Sequence, residues 1–551
     1  MSGRLKDLGA ALLTSGLWMA SFHPIHLPGL AFLALVPWLL RVRTRPGEGP
    51  QSEISGFVLG QFLLHVYVLW WTTTCAPPLA FLVPILGVPF SLATAYVLRA
   101  ARSRGVADVV AVPLTLVLGE VLRDTALQGL SWASLGYPLD FWPSALQWAA
   151  LGRVHAVSLI AITVNVLVVE LWVARRERRR FLRVLAALIA IPLVVEAGAA
   201  LLKDRDLRVG PRVVGLQPNV PQYRKRGSAV DHLRTHIELL DRVDRDAVDL
   251  LVYAETSYPG VREPKLSLEN LLKIDAYFDE KRRRNVSYGD GTLAGPEQTT
   301  LLGVSHLVPV RPGTVDVDED GYNEANVGWV VRGGRPTGEV YQKRGLAPFG
   351  EYLPFGPETP GYEWMRSEAK KALGQVPDLT AGESPLLFSV RTPDGPRKAA
   401  CNICFEIVFP WYFRESVAAG ADFIVNQSND AWFLDSAELD LVDQATRWRA
   451  VECGRAVFRV SNAGISTAFA PDGTRLAVVE GPDGDRKEVA GVLSAVLPIG
   501  GKKTGYVRFG DWPWVWIGIL FAVRILRGKP PSRTPVASER DDSERTEKDL
   551  G

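Results

Sequence analysis

Seven apolar runs fill the first two hundred residues, near residues 8–24, 28–40, 54–74, 78–98, 106–126, 154–174 and 181–202, and an eighth lies near 511–526. Several reach the roughly 20 residues that a helix needs to cross a bilayer. By length alone the first, second and eighth also suit buried core helices, and the first follows Arg4 and Lys6 as a signal peptide would. In the company of the longer runs all eight are read as membrane spans.

The cations set an orientation, because Lys and Arg next to a span are retained on the cytoplasmic side. Arg41, Arg43 and Arg45 follow the second run, and Arg99, Arg102 and Arg104 the fourth. Arg175, Arg176, Arg178, Arg179 and Arg180 follow the sixth, and Arg524, Arg527 and Lys529 the eighth. The links after the first and third runs carry neither Lys nor Arg. The N-terminus is therefore expected in the cytoplasm, and seven spans place the next three hundred residues outside it. The expected domains are a seven-span bundle over 1–204, a soluble domain over 205–503, a C-terminal transmembrane helix over 504–528 and a cytoplasmic tail over 529–551. The tail is almost devoid of apolar residues and is expected to be disordered, since it has nothing to bury against the entropy of ordering.

The whole chain of 551 residues carries a formal net charge of +2, a balance that implies neither nucleic acid nor any other strongly charged partner. In the soluble part, β-rich runs such as Arg212 to Leu216, Leu250 to Ala254 and Phe423 to Gln427 alternate with amphipathic stretches at Val230 to Asp246 and Glu438 to Arg455. That alternation predicts an α/β domain built on a layered sheet.

Three segments of this domain carry the ingredients of thiol chemistry. Cys404 stands in Cys401-Asn402-Ile403-Cys404-Phe405-Glu406, at the end of a strand expected over Arg397 to Phe405. A protonated thiol is a poor nucleophile, so a base must take its proton and a cation or amide donors must hold the charge that develops on an attacked carbonyl. Glu255, just beyond the run Leu250 to Ala254, suits the first task. Lys343, ahead of the Gly- and Pro-rich Gly345 to Glu351 loop, suits the second. Taken singly, each has a plainer explanation: a solvated surface charge for Glu or Lys, and a small inert hydrophobe for Cys. A metal or disulfide at Cys401-x-x-Cys404 is disfavoured, because residues three apart on a strand face opposite ways. Only Cys75 and Cys453 remain besides these two. No cofactor or metal is expected, and Cys401 is read as structural.

In context, residues 210–500 resemble the carbon-nitrogen hydrolase (nitrilase) superfamily. Its Glu-Lys-Cys triad falls on Glu255 in Ala-Glu-Thr, Lys343 in Tyr-Gln-Lys-Arg and Cys404 in Ile-Cys-Phe-Glu. Pro348 to Pro354, Ser428 to Phe433, and Arg449-Ala450-Val451-Glu452 leading to Ser461-Asn462-Ala463-Gly464 are similar to the apolipoprotein N-acyltransferase branch. So are Phe22-His23-Pro24 and Gly129 to Tyr137 in the membrane half. The sequence departs from that branch at Phe405, often Tyr, at Leu434, often Gly, and at Leu441 and Val442, often a Gln-His pair.

The resemblance implies a nitrilase-like α-β-β-α sandwich set in a helical membrane frame. It also implies an acyltransferase of a bacterial inner membrane, with its catalytic domain in the periplasm and both termini in the cytoplasm. Cys404 would take a fatty acyl chain from a membrane phospholipid as a thioester and pass it to the α-amino group of a diacylglyceryl-modified apolipoprotein. Glu351 and Glu406 are implied to orient Lys343 and Cys404, Trp432 to line the substrate route, and Asn326, in competition with Asn323, to face the site. The segment around Tyr362, Trp364 and Met365 is read as a loop, either a lid at the bilayer surface or ordinary core. Two other readings are a membrane-tethered amidase with water as acceptor and a transporter. The second finds few ionisable groups inside the spans, chiefly Glu120 and Glu170.

Overall fold

A computed structural model of the chain describes residues 2–528 apart from 44–49, 75–78, 128–129, 204–205, 222–234, 237, 245–246, 262–298, 310–321, 333–334, 354–355, 374–377 and 393. The tail expected to be disordered, and residues 230–234, 237 and 245–246 of the Val230 to Asp246 stretch, lie outside the described residues.

The apolar half forms α1 (Ser2–Ser21), α2 (Val36–Arg43), α3 (Pro50–Val68), α4 (Leu79–Ser103), α5 (Asp108–Ala126), α6 (Pro143–Gln147), α7 (Ala149–Ala174) and α8 (Arg178–Leu202). Among the described residues α4, α7 and α8 are long and apolar enough to cross a membrane, and Ile54–Val68 within α3 is a shorter apolar helix. Leu182, Ile189, Leu193 and Leu201 on α8 are exposed, as are Phe81, Ile85 and Tyr96 on α4. Such apolar faces suit hydrocarbon as the surrounding solvent. The run 28–40 is not one helix. It folds as a 3-10 turn over Pro28–Phe32 followed by the eight-residue α2, in which proline is the second residue.

The soluble half is a two-sheet sandwich. Its strands are β1 (Leu207–Gln217), β2 (Leu250–Tyr253), β3 (Tyr258–Val261), β4 (Thr299–Pro309), β5 (Tyr322–Arg332), β6 (Arg335–Gln342), β7 (Leu387–Val390), β8 (Arg397–Ile403), β9 (Phe423–Ser428), β10 (Ala456–Ser461), β11 (Thr467–Phe469), β12 (Arg475–Val478) and β13 (Gly491–Gly500). One sheet runs β13-β1-β2-β4-β5-β6 with β3 against β4, and the other runs β12-β11-β10-β9-β8-β7. The inner strands pair in parallel, β1 with β2, β2 with β4, β8 with β9 and β9 with β10. Strands buried on both faces read as continuous apolar runs rather than alternating ones, which is why Leu250 to Tyr253 is legible as a strand.

Val213, Leu250, Val252, Leu301 and Tyr341 meet Cys401, Ile403, Phe423, Val425 and Phe458 between the sheets. The outer face of the second sheet is covered by α10 (Pro410–Ala418) and α11 (Ala437–Cys453), which follow α9 (Tyr362–Leu373) in the chain. Gly454, at φ 62°, ends α11 in the left-handed conformation that a side chain disfavours. Ala400, Ile424 and Val457 of this sheet, Trp448 of α11 and Val154 and Val157 of α7 belong to a single apolar core. The sandwich is therefore packed into the bundle through α11. After the sandwich the chain forms α12 (Gly505–Phe509) and the 16-residue α13 (Trp512–Arg527). At 1.5 Å per residue that last helix is about 24 Å long, short of the ~30 Å hydrocarbon thickness.

Candidate active site

The ends of β2, β6 and β8 meet at one edge of the sandwich. Glu255 follows β2, where its amide donates to the Ser428 carbonyl at 3.3 Å, and its side chain is buried. Lys343 follows β6 and is held at the backbone by the Asn326 carbonyl at 2.9 Å. Its ammonium, only 1% exposed, lies 2.7 Å from Glu351 and 3.4 Å from Glu255. Asn326 on β5 closes the arrangement by donating from Nδ2 to both carboxylates, at 3.0 Å to Glu255 and 2.9 Å to Glu351. The second Glu351 oxygen accepts from the Ala347 amide at 2.8 Å, so the Gly- and Pro-rich loop folds back around its own carboxylate.

Cys404 does not end its strand as expected. It is the first residue of a 3-10 turn, Cys404–Val408, immediately after β8. Its φ is 47°, in the left-handed region that costs an L-residue about 1–2 kcal/mol. Thr256, Phe349 and Leu434, each beside a site segment, also have positive φ. Such strain persists only where surrounding contacts over-determine it. Glu406 supplies many of those contacts: it accepts from the amides of Ile403 at 2.6 Å, Arg344 at 2.7 Å and Gly345 at 2.9 Å, and from the Tyr341 hydroxyl at 2.8 Å. One buried carboxylate thereby ties the end of the lysine strand to the nucleophile turn. Tyr341 has no sequence signature beyond its place next to Gln342 and Lys343.

Burial, with Glu255 nearby, pushes the Cys404 thiol above its usual value, and Lys343 opposes that rise without cancelling it. Burial also works against the Lys343 ammonium, but Cys404, Glu255 and Glu351 outweigh it and hold its pKa well above the ordinary range. The resting pair is thus a neutral thiol beside a fixed cation and a carboxylate. A base must remove the thiol proton as the sulfur attacks, and the cation then faces the growing negative charge. Cys401 sits in the core between the sheets, with its sulfur 3.5 Å from Gln427, and burial keeps its thiol well above the usual range.

Trp432 lies half-buried in the turn Asp430–Trp432 beyond β9. Next to it Phe433 meets Trp71 edge-on at 5.1 Å; Trp71 packs on Trp132 at 5.2 Å, and Trp132 on Phe405 at 6.5 Å. Aromatic rings thus run from two bundle segments to the residue after the nucleophile. Asp430 and Arg459, a buried pair at 2.6 Å, fix this turn; the sequence carries no sign of the pairing, because β9 and β10 bring the two together from 29 residues apart. Leu434 is exposed at φ 51°, a conformation that explains why glycine suits the position. Tyr362, Trp364 and Met365 lie on α9 rather than in a loop, and Trp364 is 68% exposed.

Residues 14–167 match the apolipoprotein N-acyltransferase N-terminal domain, and residues 213–486 match the carbon-nitrogen hydrolase domain. The chain is 30% identical to an apolipoprotein N-acyltransferase of Neisseria meningitidis serogroup B, over 87% of this chain and 88% of that protein. It is 26% identical to one from Bradyrhizobium diazoefficiens, over 95% of this chain and 98% of the relative. A mutant amidase from Nesterenkonia sp. AN1 aligns with 56% of this chain and 97% of its own at 16% identity and a TM-score of 0.35.

Proposed function

The chain belongs to the apolipoprotein N-acyltransferase family, and from that premise we propose that it acylates lipoproteins through a Glu255-Lys343-Cys404 triad. The observation that carries the reading is the buried Lys343 ammonium between two carboxylates and next to the Cys404 thiol. In the first half-reaction Glu255 takes the thiol proton while sulfur attacks an ester carbonyl of a membrane phospholipid. Lys343 and nearby amides hold the oxyanion. The C–O bond breaks, Glu255 returns the proton to the departing oxygen, and a lysophospholipid leaves a thioester on Cys404. In the second half the α-amino group of a diacylglyceryl-modified N-terminal cysteine attacks that thioester. Its proton passes to Glu255, the C–S bond breaks, and the sulfur recovers the proton. This is ping-pong acyl transfer.

Asn326 and Glu351 are assigned to hold Glu255 and Lys343 in register, and Glu406 to hold the nucleophile turn. Trp432 is assigned to the substrate route. Both substrates are anchored in lipid, which gives a physical reason for packing the sandwich into an apolar helical bundle. The arginine-rich even-numbered links support a cytoplasmic N-terminus and a periplasmic site in the inner membrane.

Intact-mass analysis of the purified protein tests the reading. Phospholipid alone should add one acyl-sized increment, which a diacylglyceryl lipopeptide then removes as it becomes N-acylated. Survival of the increment in Cys404→Ala would sink the assignment. Release of free fatty acid without transfer to the amine would point instead to a hydrolase.

A further inference from the structure

The Arg449-Ala450-Val451-Glu452 stretch on α11 takes no part in the chemistry above, yet its two charges are among the most deeply buried in the chain. The Arg449 guanidinium donates to the carbonyl of Val408, the last residue of the turn that Cys404 opens, at 3.3 Å. It also donates, at 3.3 Å, to the hydroxyl of Tyr137, which belongs to the bundle segment Tyr137–Phe141. Glu452, one helical turn on, pairs with Arg449 at 3.1 Å. Its carboxylate also lies close to the Val154 amide of α7.

That amide is available because α7 breaks just before it. Gly152 (φ −148°, ψ 32°) and Arg153 (φ 61°, ψ −163°) are non-helical. A helical segment restarting after such a break begins with amides that lack an intrahelical partner. At the break itself Arg153 pairs with Asp124 of α5 at 3.1 Å and with Asp511, at the head of α13, at 3.2 Å. Trp514 of α13 donates to the Gly152 carbonyl at 3.0 Å. Polar groups, most of them buried, therefore neighbour one another from the nucleophile turn, through α11, into three helices of the bundle, with the Arg153 guanidinium in the electrostatic surroundings of Glu452.

We propose that Arg449 and Glu452 are positioning residues: a buried ionic joint that fixes the nucleophile turn against the membrane bundle, and so against substrates lying in the bilayer. The proposal rests on the acyl-transfer reading of Cys404. Apolar helix faces tolerate slippage, whereas a buried charge displaced from its partner is left unpaired, so ionic contacts specify register more than they add stability. The joint's Arg449 contacts two parts of the machine at once. Any tilt of α11 relative to α7 must break its bond to the bundle, to the turn, or to both.

The test uses the full-length enzyme in vesicles of phosphatidylethanolamine and phosphatidylglycerol, with two acyl donors for Cys404. One is the vesicle phospholipid; the other is water-soluble p-nitrophenyl butyrate, which reaches the sulfur without bilayer alignment. Arg449→Met should slow thioester formation from phospholipid at least tenfold, and Tyr137→Phe should slow it two- to fivefold. The nitrophenolate burst from the soluble ester should stay within twofold in both. Tyr137→Phe removes one hydroxyl and decides the matter should Arg449→Met fail to fold. Equal loss with both donors in Tyr137→Phe, or no loss with phospholipid, overturns the joint. A burst that persisted in Cys404→Ala would instead defeat the acyl-transfer reading, so the two failures are separable.

Discussion

Replacing Glu351 by Gln removes one of the two carboxylates flanking the Lys343 ammonium while preserving side-chain size. At 2.7 Å the lost attraction is about 6 kcal/mol gross for an effective dielectric of ~20, and the surviving Glu255 contact at 3.4 Å keeps about 5 kcal/mol. One fewer ion has to be desolvated, which offsets much of that loss. The amide adds a second fault, since Glu351 accepts from Lys343, Asn326 and the Ala347 amide, and Gln must turn an NH2 toward at least one of these donors. The net expectation is a loss of about 2–4 kcal/mol of stability, in the range for breaking a buried pair or leaving a buried donor unsatisfied.

Its pH dependence follows from Lys343. Burial disfavours the ammonium, but its anionic neighbours raise its pKa well above the ordinary value. A cation with a raised folded-state pKa contributes stability in full below the unfolded value, near 10.4, and loses it only as pH climbs through the folded value. The deficit of Glu351→Gln should therefore be flat from about pH 6 to 9. Side-by-side thermal unfolding of detergent-purified proteins at three pH values measures it, together with a ten- to hundredfold slower acyl transfer, about 1.4–2.8 kcal/mol of barrier. Unfolding within about 0.5 kcal/mol of the parent and transfer within twofold would refute the reasoning.

Three further outcomes are expected. Lys343→Met removes a neighbouring cation that lowers the Cys404 thiol pKa, so the pH profile of iodoacetamide labelling at Cys404 should move to higher pH; a move to lower pH would contradict the electrostatic picture. Tyr341→Phe strips Glu406 of its only side-chain donor among the bonds described, leaving three backbone amides. It should cost about 1.5–3 kcal/mol in thermal unfolding, as for a hydrogen bond to a charged group. Leu434→Gly relieves a left-handed residue whose side chain is 59% exposed. It should leave stability unchanged or raise it by up to about 1 kcal/mol, after allowing for the entropy of glycine; a comparable loss would show that the leucine packs more tightly than its exposure implies.

The most legible parts of the sequence were those where one residue type had to satisfy a local demand. Leu250 to Tyr253 reads as a strand because its apolar run is short and uninterrupted; Glu255 stands out because it follows that run, Lys343 because it precedes the Gly- and Pro-rich loop, and Cys404 because it falls at the end of an expected strand. The structure brings Glu255, Lys343, Asn326 and Glu351 within hydrogen-bond reach, and the electrostatic surroundings of Cys404 include three of them. The turn that opens at Cys404 was less legible, because nothing local distinguishes a strand's last residue from the first residue of a tight turn.

Hydrophobic patterning by itself determined that this chain divides into an apolar helical half and an α/β half, since period and run length are properties of consecutive residues. Only the tertiary structure decided that run 28–40 is broken, that Glu406 braces two segments, and that Arg449 links the nucleophile turn to Tyr137. These outcomes depend on which side chains from distant strands and helices occupy the same buried volume. Burial makes an unpaired polar group costly, and the folded chain alone determines which partner is close enough to satisfy it.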